Sequence, residues 1–273
     1  MANAFSNLPG RAQFAAAGAG LAVQNRFASE GSKGKTANTL FSDFMLLALT
    51  IAITAIVAIL AWAFVEGRTR LDGDLIFNGP STVNRATAGY SVAILGTLQI
   101  TLGVIALIIP LGAGAALYLE QFADKTKWWN RVIELNIQNL AGVPSIVFGI
   151  LGLAFFVRGP FSWGLVAAAG SATVALLVLP TVILASREAI KAVPPSILEG
   201  SLALGATRWQ AVWRQVLPAA APGMLTGVIL AVSRAIGEAA PLLLVGALTF
   251  VTFAPNFFDG GYSAFPVLIY NYA

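Results

Sequence analysis

The chain has 273 residues, 58% of them hydrophobic and only 10% charged, with a formal net charge of +4. That balance lies far from a soluble domain and reads as an integral membrane protein. Cysteine and histidine are both absent, which excludes disulfide frameworks, thiolate nucleophiles and the intramembrane zinc and Ser-His proteases, whose ligand or general base is an imidazole.

Residues 1–42 are rich in Ala, Gly, Ser and Asn. Their apolar stretch at 12–23 lacks the Leu, Val or Phe runs of a signal peptide core, so a mobile tail is expected. Within it "SEGSKGKT", 29–36, ends like a phosphate-binding P-loop. Ser29 stands where the first glycine belongs and no strand precedes it, so a basic juxtamembrane tail is the better reading.

Charge-free runs follow at 44–65, 86–119, 135–157 and 159–186, each long enough for the roughly 20 residues of a membrane-spanning helix. Spans are expected at about 44–65, 90–119, 133–157, 161–191 and 219–246. Pro110 and Pro144 should bend the second and third, and their small residues should let helix backbones approach closely. Arg11, Arg26, Lys33, Lys35, Lys125, Lys127, Arg131, Arg187, Lys191, Arg208 and Arg214 fall on one side of these spans. Arg68, Arg70, Arg85 and Arg158 fall on the other, where Glu66, Asp72 and Asp74 offset three of them. The excess of Lys and Arg is retained inside, so the N-terminus is expected to be cytoplasmic.

The stretch 193–218, "VPPSILEGSLALGATRWQAVWRQVLP", carries two helix starts. Pro194 and Pro195 end the fourth helix. Ser196 is expected to cap the next with Glu199 closing the box, and Gly205 suits its end. Thr207 and Gln210 repeat the box. Trp209, Val212, Trp213 and Val216 then lie at i, i+3, i+4 and i+7 opposite Arg208, Arg214 and Gln215, the pattern of a helix in the membrane interface. Helix-glycine-helix also occurs in DNA-binding proteins, but the tether between spans and the two tryptophans argue against nucleic acid.

"SRAIGEAAPLLLVG", 233–246, places Arg234 and Glu238 in an apolar run. Pro218, Pro222, Pro241 and Pro255 leave flanking pieces too short for two spans, so one span over 219–246 with Arg234 near its middle is expected. Each central charge costs about 3 kcal/mol, against only about 5 kcal/mol recovered by the apolar residues of the span. Such a helix should face protein or water, and its charges are functional candidates. The guanidinium fork suits a phosphate-like anion. The carboxylate could accept a hydrogen bond from the remaining proton of such an anion, which sulfate lacks at neutral pH, or neutralise Arg234 when the path is empty. Gly237 would allow close approach beside them.

These stretches resemble the permease subunits of bacterial ABC importers, and most closely the PstA type of the phosphate-specific transporter, from about 91 to 272. "NLAGVPSIVFG" is similar to its third-span signature, "EGSLALGATRWQAVWRQVLP" to its ATPase-docking loop and "SRAIGEAAPLL" to its fifth span. In the docking pattern Glu199, Gly205, Leu217 and Pro218 match, while Gly200 and Ser201 replace alanines and Gln215 an isoleucine. The resemblance implies an all-α type I ABC importer permease fold with five transmembrane helices here, a sixth of the family core apparently absent, and a coupling helix at 197–205. Ser196, Glu199, Ala203, Leu204 and Gly205 would serve that coupling.

It further implies inorganic phosphate as substrate, a PstC-like permease in heterodimer, a PstB-like ABC ATPase dimer binding the ATP and Mg, a PstS-like periplasmic binding protein, and a bilayer of the bacterial inner membrane. No cofactor, metal or catalytic residue is expected in this chain. Sulfate importers share an Arg-x-x-Gly-Glu, so a sulfate or molybdate permease is the alternative. Many relatives carry an arginine in the fourth span where Leu184 stands, and Arg187 and Glu188 come later. The aromatic stretch after 250 resembles an external re-entrant segment.

Overall fold

The computed structural model describes the backbone of residues 10–81, 88–247, 251–253 and 256–272, and side chains from 38 to 271 within those ranges. Arg85, Pro255 and the side chains of Arg11, Arg26, Lys33 and Lys35 lie outside the described residues. The chain divides into two units, Met1–Leu71 and Asp72–Ala273. Among the described residues the fold is helical, with one isolated bridge between Ala247 and Tyr262 and no strand.

The first unit is a 58-residue helix, α1 (Gly10–Gly67). Helical backbone runs from residue 10 without a break into the apolar segment. The P-loop-like 29–36 lies inside it. Its amides there serve the helix's own hydrogen bonds, whereas a phosphate cradle needs them free in a loop.

The second unit begins with a short helix, α2 (Gly73–Phe77), whose N-cap Asp72 accepts from Leu75 N. α3 (Ser91–Leu117) runs into a π turn (Tyr118–Phe122). Pro110 sits within α3, which continues past it. At the connection, the Thr126 hydroxyl and backbone N–H both donate to Asp124, holding that carboxyl below its ordinary range. Asn130 Nδ2 donates to Asp124 O and ties the turn to the next helix.

The expected third span is two helices, α4 (Trp128–Ala141) and α5 (Ser145–Gly152, extended by a π turn Leu153–Val157), set at 108° to one another. Pro144 does more than bend. It lacks an N–H and crowds Val143 out of the helical region, so Gly142 ends α4 and Pro144 stands as N-cap of α5.

α6 (Ala167–Lys191) is the centre of this unit and packs against α3, α4 and α5. α7 (Pro195–Ala203) follows after the three residues Ala192, Val193 and Pro194. Then α8 (Arg208–Ala211), a π turn (Val212–Val216) and α9 (Leu217–Ile236) form one uninterrupted helix, Arg208–Ile236, of 29 residues. The separate interfacial helix expected before Pro218 is therefore the first part of the membrane helix itself. Proline in the first turn of α9 meets no blocked hydrogen-bond requirement that the π turn before it cannot absorb.

Small residues make the α6–α9 contact. A methyl added at Gly223 would stand 2.8 Å from Ala189 Cβ, and one at Gly227 would come closer still to Ala185 Cβ. A Gly-x-x-x-Gly face thus meets an Ala-x-x-x-Ala face in antiparallel fashion, the close packing that membrane helices favour where burial supplies little drive.

α10 (Ala240–Leu244) and α11 (Phe265–Tyr272) close the chain. Before α11, Tyr262, Ser263 and Ala264 are buried while Phe253 and Phe258 are exposed, and Phe265 N donates to Thr97 Oγ1 of α3. Among the described residues, four helices are long and apolar enough to cross a membrane, or five if the bent α4–α5 pair counts as one span.

Candidate functional site

Two features stand at opposite ends of the helix Arg208–Ile236. Gly237 caps α9, so Arg234 lies in its last turn and Glu238 just beyond it. The helix ends at Ile236, ten residues short of the expected 246, so Arg234 does not stand near the middle of one continuous helix. It also supplies a local reason for the arginine, because a cation in the last turn is favoured by the exposed carbonyls of a helix C-terminus.

Arg234 Nε donates to Glu238 Oε1 at 3.1 Å, with Arg234 about half exposed (49%) and Glu238 at 16%. Among the described residues the terminal nitrogens of Arg234 hold no further partner. The pair joins the last turn of α9 to the residue just past its cap, so it does not tie α9 to another helix. Gly237 borders a cleft of about 590 Å³ formed by α3, α11 and Ile236. The hydroxyls in that cleft, Thr97 and Thr101, donate to the helical carbonyls of Ala93 and Thr97. So the hydroxyls of the cleft are already committed, and the donors beside it belong to the Arg234 guanidinium. A methyl at Gly237 would meet only Arg234 O, at 3.7 Å, so no close approach within this chain requires glycine there.

At the other end α7 stands out from the body. Pro194 is its N-cap and no side chain caps it. Ser196 therefore lies in the first turn, and the capping box with Glu199 does not form, because Pro194 takes the N-cap position and Pro195 the first helical one, which leaves Ser196 already inside the helix. The second box forms: Gln210 N donates to Thr207 Oγ1 and Thr207 N to Gln210 Oε1. Gly205 has φ +85°, the left-handed C-terminal position that glycine fills without penalty.

Ser196, Glu199, Ala203, Leu204 and Gly205 are all exposed, Leu204 at 90%. The opposite side of α7 rests on the body through Leu198, which packs on the apolar cluster of Leu117, Ile190, Val212 and Val216. The interfacial stripe divides accordingly. Val212 and Val216 are buried, while Trp209 and Trp213 face outward and stack at 5.4 Å.

A third group escaped the sequence reading. Arg187, left there without a role, is buried and lies between Glu120 and Glu134. The signal was present: each of the three is the first charge past a charge-free run, at the end of 86–119, the start of 135–157 and the end of 159–186. Among the described residues no group of His, Cys, Asp and Glu could hold a metal ion.

Residues 108–269 match the family described as binding-protein-dependent transport system inner membrane component. Two Bacillus subtilis proteins, the probable ABC transporter permease proteins YqgH and YqgI, are each 31% identical, over 74% and 79% of this chain and 67% and 72% of their own. The phosphate transport system permease protein PstA of Mycobacterium leprae is 34% identical and PstA 1 of Mycobacterium tuberculosis 36%, each over 67% of this chain. The chain spans 59% of the length of those two mycobacterial relatives. With the family match covering the helices that carry Arg187, α7 and the Arg234–Glu238 pair, the chain belongs to the binding-protein-dependent transport system inner membrane component family.

Proposed function

We propose that this chain is the permease subunit of an ATP-driven importer and forms half of the path that carries inorganic phosphate across the bacterial inner membrane. The observation that supports the reading is one continuous helix, Arg208–Ile236, with the exposed helix α7 just before its start and the half-exposed Arg234 at its end. At 1.5 Å per residue, 29 residues span about 43 Å, enough to connect one membrane face to the far part of the path.

In this reading the N-terminus is cytoplasmic, α7 seats in a groove of a PstB-like ATPase, and Leu204 and Glu199 make the contact. ATP-driven closure of that subunit displaces α7 and, through it, the helix that begins at Arg208. Arg234 lies on the side completed by a PstC-like permease, and a PstS-like binding protein delivers the substrate. Glu238 occupies Nε while the path is empty. An arriving phosphate takes the terminal nitrogens of Arg234, and its remaining proton offers Glu238 a hydrogen bond in exchange. ATP and Mg belong to the ATPase partner, and this chain performs no hydrolysis.

The test is ATPase activity of the complex reconstituted with its partner permease, ATPase and binding protein. Stimulation by phosphate-loaded binding protein is expected. Stimulation by sulfate or molybdate instead would replace the substrate, and the absence of any stimulation would remove the transporter reading.

A further inference from the structure

Arg187 is the most enclosed charge for which neither substrate passage nor docking has a use. Its side chain is 6% exposed and that of Glu120 is 8%. Arg187 Nη2 donates to Glu134 Oε1 at 2.7 Å, Arg187 Nε stands 3.5 Å from Glu120 Oε2, and Lys125 Nζ donates to Glu120 Oε1 at 2.9 Å. The three residues come from three elements: Arg187 from α6, Glu134 from α4 and Glu120 from the π turn after α3.

Stability does not account for such a group. Apolar side chains of similar volume commonly replace a buried ion pair at no cost, and the best-attested use of one is to fix a register or to switch between two. The arrangement here is half made. Arg187 Nε and Glu120 Oε2 are both buried and lack hydrogen-bond partners, and their separation lies just past hydrogen-bond length. A small movement would complete or part them.

What could move them is next to Glu120. The same carboxylate borders a cavity of about 230 Å³ whose other walls include Pro194, Pro195 and Leu198 at the root of α7, and Val216 of the helix that follows. On the other side, Glu134 lies about two turns before Gly142, where the backbone breaks between α4 and α5. Asn130, one turn before Glu134, keeps a buried Oδ1 without a partner facing the cavity of about 220 Å³ that Arg187 also borders. Only arginine among the cations has a planar fork rigid enough to hold carboxylates of two elements at once.

We propose that Arg187 is a positioning residue, a clasp that ties displacement of α7 to displacement of α4 and the break before α5, so that docking movements reach the membrane path through α4 as well as through the helix Arg208–Ile236. The proposal rests on the transporter reading above, and its test has one arm that does not.

In the reconstituted complex, phosphate moved per ATP hydrolysed is measured for Arg187→Gln, Arg187→Lys and the exchange pair Arg187→Glu with Glu120→Arg. Arg187→Gln is expected to keep stimulated ATPase within about threefold of the unmodified complex while the transport-to-ATP ratio falls about tenfold, with partial recovery in Arg187→Lys and in the exchange pair. Loss of ATPase and transport in parallel, with their ratio unchanged, would mean a merely structural role and overturns the clasp.

The second arm is amide hydrogen exchange on the full chain in lipid nanodiscs. Arg187→Gln should speed exchange about tenfold in both α4 and α7 and leave α10 protected. Acceleration confined to α4 overturns the proposal. If Arg187→Gln loosens the whole bundle, Glu134→Gln replaces it, since that carboxylate is 41% exposed. The same paired acceleration is then expected, and unchanged exchange in α7 overturns the clasp. A complex without phosphate-stimulated ATPase removes the transporter reading, while the exchange arm still decides the clasp.

Discussion

Arg234 and Glu238 are hydrogen-bonded at 3.1 Å across the end of α9, one residue inside the helix and the other past its glycine cap. A charge pair in mid-helix would move only with the whole helix, whereas one that straddles a helix end can open by rotation of the few residues between Gly237 and Ala239. The hydrogen bond between Glu238 and Arg234 can therefore open without unwinding α9.

Replacing Arg234 by Ala should reduce phosphate uptake by about 10- to 100-fold, the equivalent of the 1.5–3 kcal/mol carried by a hydrogen bond to a charged group. Arg234→Lys should recover part of it, because the charge remains while the fork is lost. Initial uptake rates in reconstituted vesicles check both, and unchanged uptake in Arg234→Ala would refute the anion role.

Leu204→Ser should abolish co-purification of the ATPase and leave folding untouched. A side chain 90% exposed contributes little to the chain's own stability, and surface substitutions of this kind stay within about 0.5 kcal/mol. Pull-down and thermal unfolding of the same preparation separate the two effects.

Gly205→Ala forces a side chain onto φ +85°, a cost of about 1–2 kcal/mol. Thr207→Ala removes the capping box that starts the next helix, for about 1 kcal/mol. Both should loosen the α7–α8 junction, measured as faster proteolysis between 203 and 208, and Gly205→Asn should be milder because asparagine visits the left-handed region more readily.

Gly227→Val should wedge α9 away from α6, where an added methyl already overlaps Ala185. Overpacking of this kind costs about 1–3 kcal/mol. The expected signature is a lower unfolding temperature with coupled loss of transport. The double change Gly227→Ala with Ala185→Gly should be better tolerated than Gly227→Ala alone.

Residues that act through composition and local backbone preference were legible without coordinates. The apolar runs announce α3 and α6, Gly205 announces a helix end, and Thr207 with Gln210 announces a helix start, because each depends on neighbours within a few positions. Ser196 with Glu199 presents the same cap spacing, yet Pro194 and Pro195 had already taken over the turn. Pro144 was read as a bend and proved a break, since whether a proline bends or ends a membrane helix depends on what packs against the freed carbonyls.

The sequence by itself determined that this chain lives in a bilayer, which residues are charged against the cost of that environment, and where the outstanding α7 lies. These follow from hydration free energy and local stereochemistry. Only the tertiary structure decided where α9 ends, and with it that Arg234 and Glu238 straddle a helix terminus rather than the interior of one longer helix. It alone brought Glu120, Glu134 and Arg187 together, across 14 and 53 residues of chain. No local rule encodes that meeting, because it is set by how α3, α4 and α6 pack on one another.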